Sequence, residues 1–254
     1  MKITADIAYL TTVLLVSIRL GAVFLLAPIF SIAKIPVTVM VIFVLSLSAL
    51  LVANLNISSL ATPESFGDLV SAGAFELVVG GAMAFGMFAA FAVFLFGGRI
   101  LDFQMGFGIA NLIDPVTHTP TPMLGTILNM MAVMMFLMIN GHHMVIRGLV
   151  YSLEKVPPGS AINNFELSAL VAQFGNLFVF GLAIVAPAVF SLLLLDVGMS
   201  FAARTMPQVN VFIVSIPLKI FVGLLMLALS LNYVAPLMER IFGSMFRYWE
   251  RILG

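Results

Sequence analysis

Residues 167–195 read LSALVAQFGNLFVFGLAIVAPAVFSLLLL, a run without one ionisable side chain. About 20 apolar residues in a helix cross a bilayer, and this run is longer. It lacks the period-2 alternation and the length of about 10 residues that mark a membrane β-strand, so it predicts a membrane helix. Five more apolar blocks match it, at 7–30, 36–55, 69–98, 122–146 and 207–238. Six long helices make the fold class all-α and integral to a membrane. Composition agrees. Of 254 residues, 62% are hydrophobic and 9% charged, against about 45–50% and about 25% in soluble domains. So few charges cannot cover a soluble surface. High hydrophobicity excludes disorder. Eleven Lys/Arg against eleven Asp/Glu leave no electropositive field for nucleic acid.

The chain has no cysteine, which excludes disulfides, thiolate metal sites and cysteine nucleophiles. The first block follows Asp6, carries Arg19 in its middle and outruns the 7–15 residues of a signal h-region. It is expected to stay in the mature structure. The connections at 31–35, 56–68, 147–166 and 196–206 are too short for a soluble domain, so a single domain over 1–254 is expected. The third connection holds a turn at Pro157, Pro158 and Gly159. Residues 239–254 mix Ile241, Phe242, Met245, Phe246, Trp249 and Ile252 with Arg240, Arg247 and Arg251. They read as an amphipathic helix for a lipid interface or a partner. With six crossings, the excess of basic residues on the side of Lys2, Arg147, Lys155 and the C-terminal arginines favours cytoplasmic termini. Pro28, Pro36, Pro187, Pro207, Pro217 and Pro236 lie in or beside the blocks. Proline removes a helix hydrogen bond, which membranes tolerate where neighbours repair it. Kinked helices in a packed assembly are therefore expected.

Three charges stand inside apolar blocks: Arg19, Glu76 and Lys219. Each costs about 2.5–3.5 kcal/mol at a bilayer centre on insertion scales. They read either as an ion or proton pathway or as inter-helix salt bridges. Asp102, Asp114 and Asp196 are placed beside turns. His142 and His143 are adjacent and point about 100° apart on a helix, so they read as polar helix-end residues rather than a shared metal site. Ala82, Gly86 and Ala90 fall four apart, the spacing that lets helix backbones approach closely, within a chain or between chains. Met130, Met134 and Met138 form an i, i+4 ridge, read as adaptable core packing with a deformable lining for a passing chain as the alternative.

The stretch 101–122, LDFQMGFGIANLIDPVTHTPTP, joins two apolar blocks. It lacks the third glycine of a dinucleotide fingerprint and the GK[ST] of a phosphate loop. It is an apolar loop hinged at Gly106 and Gly108. At membrane depth such a loop must be buried in protein or line a cavity, as a re-entrant plug would. Met105, Phe107, Ile109, Leu112 and Ile113 supply its apolar surface, and Asp114 with Pro115 ends it.

On these segments the chain resembles the FliR/SctT family of type III secretion export-gate proteins, on its flagellar side. The segments are Arg19 with Ala27 and Pro28, the loop from Gln104 through Pro115, Asn140-Gly141-His142, the VPPG turn, and the stretch from Pro207 through Phe212 with Ile216, Pro217, Leu218, Lys219 and Gly223. The resemblance covers essentially the whole chain. It implies a non-enzymatic subunit without cofactor, one copy per gate, assembled with the sister subunits FliP and FliQ and with FlhB and FlhA. The gate sits in the bacterial inner membrane at the flagellar basal body and secretes unfolded flagellar subunits. Residues 1–165 would correspond to a FliP-like portion and 166–254 to a FliQ-like hairpin with its C-terminal amphipathic helix, all within a larger spiral assembly. The loop would be the pore plug. Family members often carry aromatic side chains where this chain has Ile109 and Leu112, so the seal here would be aliphatic. Two other readings are an injectisome subunit that secretes effectors and a small secondary transporter. The latter calls for inverted repeats, and the sequence shows none. A pure assembly scaffold is a further rival, against which the apolar loop argues.

Overall fold

The computed structural model describes residues 2–26, 35–55, 65–107, 122–160, 166–206 and 211–254. Among these there are eight α-helices and no strand. They are α1 (Lys2–Leu26), α2 (Val37–Leu55), α3 (Phe66–Met105), α4 (Met123–Met138), α5 (Gly141–Lys155), α6 (Leu167–Thr205), α7 (Val211–Leu229) and α8 (Leu231–Leu253). Four of them, α1, α2, α3 and α6, are long and apolar enough to cross a membrane; counting the bent pairs α4–α5 and α7–α8 as one span each gives up to six. The all-α membrane fold expected from the apolar runs is the fold observed.

Several block boundaries moved: the block at 69–98 runs on as α3 to Met105, taking the first residues of the expected loop into the helix, and three other changes have a local reason. The block at 122–146 is broken at Asn140, whose φ of 57° is left-handed. Asparagine tolerates that region because its short polar side chain bonds locally. The block at 207–238 breaks at Ser230, and α7 and α8 meet there at 65°. Asp196, placed beside a turn by its charge, is instead inside α6, which runs on to Thr205. Pro187, Pro217 and Pro236 all lie within helices.

Length sets a further constraint. α3 has 40 residues and α6 has 39, about 60 Å each at 1.5 Å per residue. The hydrocarbon core is about 30 Å thick, so neither helix is a simple upright span.

The chain forms two compact units. The first comprises Met1–Ala89, Asn140–Phe174 and Gly243–Gly254; the second comprises Ala90–Ile139 and Gly175–Phe242. In the first, α1 packs on α2 through an edge-on contact of Phe24 and Phe43 at 5.5 Å, and Tyr9 donates to the Ala49 carbonyl at 3.2 Å. Its core holds Leu15, Val16 and Leu20 of α1, Met83 and Met87 of α3, Leu149 of α5 and Trp249 of α8. The second unit is centred on four rings, Phe91, Phe94, Phe136 and Phe242, with contacting centroids 5.1–6.0 Å apart.

Two expectations about surfaces change. The methionine ridge of α4 is not core: Met130, Met134 and Met138 are exposed, and α4 buries Leu124, Leu128, Ala132 and Phe136 instead. The sequence leads to the expectation that the apolar face of α8 meets lipid or a partner. That face packs inside the chain, with Ile241, Phe242, Met245, Trp249 and Ile252 buried, while Arg240, Arg247, Glu250 and Arg251 stay outside.

Candidate functional site

Arg19 is fully buried and Glu76 is 1% exposed, so each charge must be met by fixed partners. The first unit supplies them. Arg19 Nε donates to Glu76 Oε2 at 2.6 Å, and Nη2 donates to Glu76 Oε1 at 3.1 Å. Nη2 also donates to the Val156 carbonyl at 2.9 Å, and Nη1 to the Ser152 carbonyl and hydroxyl at 2.8 and 3.3 Å. These acceptors use the five donors of a guanidinium. Ser152 and Val156 lie at the C-terminal end of α5, where free carbonyls favour a cation.

Glu76 reaches further. Its Oε1 accepts the Gly159 N–H at 3.0 Å. Gly159 has φ 79° and follows Pro158, and Ser160 N donates to the Pro157 carbonyl at 3.1 Å. Proline at the second position and glycine at the third is the chemistry of a type II turn. One ion pair therefore joins α1, α3, the end of α5 and the turn after it. With every donor occupied, the geometry fits a salt bridge better than a pathway for a moving ion.

The small-residue stripe in α3 is occupied by side chains of α8. Ala82, Gly86 and Ala90 are buried. A Cβ on Gly86 would lie 2.5 Å from the Tyr248 ring. Tyr248 Oη donates to the Ala82 carbonyl and Trp249 Nε1 to the Met83 carbonyl, both at 2.9 Å. Gly148 of α5 lies against the other side of the Trp249 indole. The close approach at Gly86 thus serves the chain's own α8.

Lys219 belongs to the second unit. Its Nζ is 2.5 Å from Asp196 Oδ1, with side chains 20% and 45% exposed. The pair joins α6 to α7, and it explains how Asp196 resides mid-helix. Lys219→Leu strands Asp196 on an apolar helix. It is expected to lower the yield of assembled complex while leaving membrane insertion intact, and adding Asp196→Leu should restore part of the yield. Co-purification of the complex from both strains checks this; equal yields from Lys219→Leu and the unmodified chain would show the pair to be incidental.

The loop falls partly outside view. Met105, Gly106 and Phe107 are described; Gly108, Ile109, Leu112, Ile113, Asp114 and Pro115 lie outside the described residues. Met105 ends α3, is fully buried and presses its side chain on Gly223 of α7. Gly106 has φ 85°, which glycine adopts without steric penalty. Where the chain re-enters at α4, Pro122 offers no side-chain cap. The cap comes from Asp102 of α3, whose Oδ1 accepts Leu124 N at 3.1 Å and whose Oδ2 accepts Gly125 N at 3.5 Å.

The sequence reading missed Asp102, Ser152, Val156, Asp196, Tyr248 and Trp249 as members of these contacts. One signal was available: a helix that starts on proline without a capping side chain must satisfy its first N–H groups elsewhere. Among the described residues, no group of three or more His, Asp or Glu could hold a metal ion.

A family model described as bacterial export proteins, family 1, matches residues 10–245. The chain is 33% identical over 246 residues to the flagellar biosynthetic protein FliR of Bacillus subtilis strain 168, covering 95% of this chain and 94% of that one. It is 31% identical over 180 residues to FliR of Escherichia coli K12, covering 70% and 69%. It is 24% identical over 160 residues to the secretion system apparatus protein SsaT of Salmonella typhimurium LT2, covering 62% of each.

Proposed function

Because the chain belongs to the FliR/SctT family of bacterial export proteins, we propose that it is the FliR-type subunit of a flagellar type III export gate, forming and plugging part of the pore. It is a membrane-embedded component of a type III secretion export apparatus and works in assembly with other components of it. The observation that carries the flagellar reading is the 33% identity with the Bacillus subtilis protein over nearly the full length of both chains.

In this reading one copy joins FliP and FliQ, and contacts FlhB and FlhA, in the bacterial inner membrane at the basal body. Residues 1–165 take the FliP-like part and 166–254 the FliQ-like hairpin. Exposed apolar surface supports an assembled state: most of the apolar stretch of α6 is left unburied by the rest of the chain, and Phe178, Phe190 and Phe201 lie exposed on it. Helices of twice the bilayer thickness need protein or lipid along their whole length. The connection that leaves α3 after Met105, from Gly106 to Pro115, acts as the plug, and Met105, expected on its apolar surface, anchors the helix behind it. A pore for unfolded chains has to be tight to ions at rest, and apolar constrictions seal by excluding water.

Deleting residues 106–111 is expected to leave the gate assembled but leaky, read as ion conductance in cells that overproduce the complex. Gly106→Val is expected to reduce secretion, because a β-branched residue resists φ 85°. A deletion strain that stays tight and secretes normally would overturn the plug. The injectisome reading has the match to SsaT on its side. Loss of motility, with effector secretion unchanged, in a strain lacking this chain decides for the flagellum.

A further inference from the structure

Asp102 is 7% exposed, and among the described residues no cation pairs with it. Its two oxygens are spent on the N–H groups of Leu124 and Gly125, the second and third residues of α4. Those are the donors that a capping side chain at the start of a helix normally satisfies. Here the cap is supplied from another helix, 22 residues earlier in the chain. A carboxylate also suits the positive end of the α4 dipole.

The surroundings show why the contact is placed there. Gly98, Asp102 and Met105 recur at helical spacing along one face of α3. Gly98 meets the backbone of Gly125, so closely that a Cβ would collide with the Gly125 Cα. Met105 presses on Gly223 of α7. The last two turns of α3 are thus fixed to α4 by a glycine contact and a carboxylate, and to α7 by a thioether. The chain leaves this clamp at Gly106 and returns to it at Pro122.

We propose that Asp102 is a positioning residue for the export path: it holds the exit from α3 against the start of α4, so that both ends of the intervening connection share one fixed base. The carboxylate does not touch exported protein. It acts through the backbone of Leu124 and Gly125. The inference rests on the plug reading above, since only then does the separation of the two ends set the seal.

The test uses the assembled complex and compares Asp102→Ala, Asp102→Asn and the 106–111 deletion for complex yield, resting ion conductance and secretion. Asp102→Ala removes two charge-assisted hydrogen bonds and is expected to raise resting conductance about tenfold or more. Asp102→Asn keeps one acceptor oxygen and is expected to fall between Asp102→Ala and the unmodified chain. Assembled Asp102→Ala that is as tight as the unmodified gate, beside a leaky deletion, overturns the role of Asp102 and leaves the plug standing. A deletion that is itself tight overturns the plug reading and this inference with it. If Asp102→Ala fails to assemble, Asp102→Asn decides: assembled and leaky supports the proposal, assembled and tight overturns it. Failure of both variants to assemble shows a purely structural role and overturns it too.

Discussion

Arg19→Ala is expected to destabilise the first unit by about 3–5 kcal/mol, because it strands the Glu76 carboxylate in a buried site. Whole domains have only about 5–15 kcal/mol in hand, so the variant should be recovered at a small fraction of the normal level. Glu76→Ala should be as severe, since it leaves the guanidinium buried and also frees the Gly159 N–H. Arg19→Met with Glu76→Leu should be milder than either single change, as paired apolar replacement of a buried ion pair is often close to neutral. It still leaves the Val156 carbonyl and Gly159 N–H without their partners, at about 1–3 kcal/mol for each buried group left unmet. Steady-state abundance and thermal unfolding of the purified complex measure all three. A double variant less abundant than both singles would mean the pair contributes net stability of its own.

Trp249→Ala is expected to cost about 3–5 kcal/mol by opening a cavity in the first unit. Trp249 is 2% exposed and is clasped between Gly86 of α3 and Gly148 of α5. Trp249→Phe keeps most of the ring volume and loses the bond to the Met83 carbonyl, worth about 0.5–1.5 kcal/mol. The ratio of the two effects separates packing from hydrogen bonding. Gly148→Val attacks the same socket from the other side, where overpacking costs about 1–3 kcal/mol. Unfolding midpoints of the three variants should therefore rank Phe above Val above Ala. Wild-type stability of Trp249→Ala would mean that α8 is not held here.

The helices were legible because hydrophobicity in a run needs no partner to be read. The apolar lengths of α2, α3 and α6 announce themselves residue by residue. Pairing does not. Arg19 and Glu76 stood out as expensive, yet nothing in a single sequence says that positions 57 residues apart share a bond. Asp196 was misplaced for the same reason: a carboxylate in a helix looks like a helix end until Lys219 is seen beside it. The methionines of α4 misled differently. Their spacing gave the right helix, but an i, i+4 ridge does not say which face is buried, and Ala132 and Phe136 took the core. For the site, the small-residue stripe at Ala82, Gly86 and Ala90 is visible in the sequence, while its occupant is not, because Tyr248 and Trp249 lie 166 residues from the carbonyls they bind.

That separation bears on how the protein is made. The first unit is assembled from three pieces of chain, the last of them Gly243–Gly254. At roughly 5–20 residues per second, the ribosome adds Trp249 on the order of 10–30 s after Gly86. Throughout that interval α1 and α3 can pair through Arg19 and Glu76, which are both already made, but the groove at Gly86 stands open. The ion pair is an early clasp and the indole a late one. A nascent membrane protein in this state displays an unfilled small-residue stripe to neighbouring helices in the bilayer, so translation speed over the whole stretch from Gly86 to Trp249 sets how long the stripe is open to the wrong one.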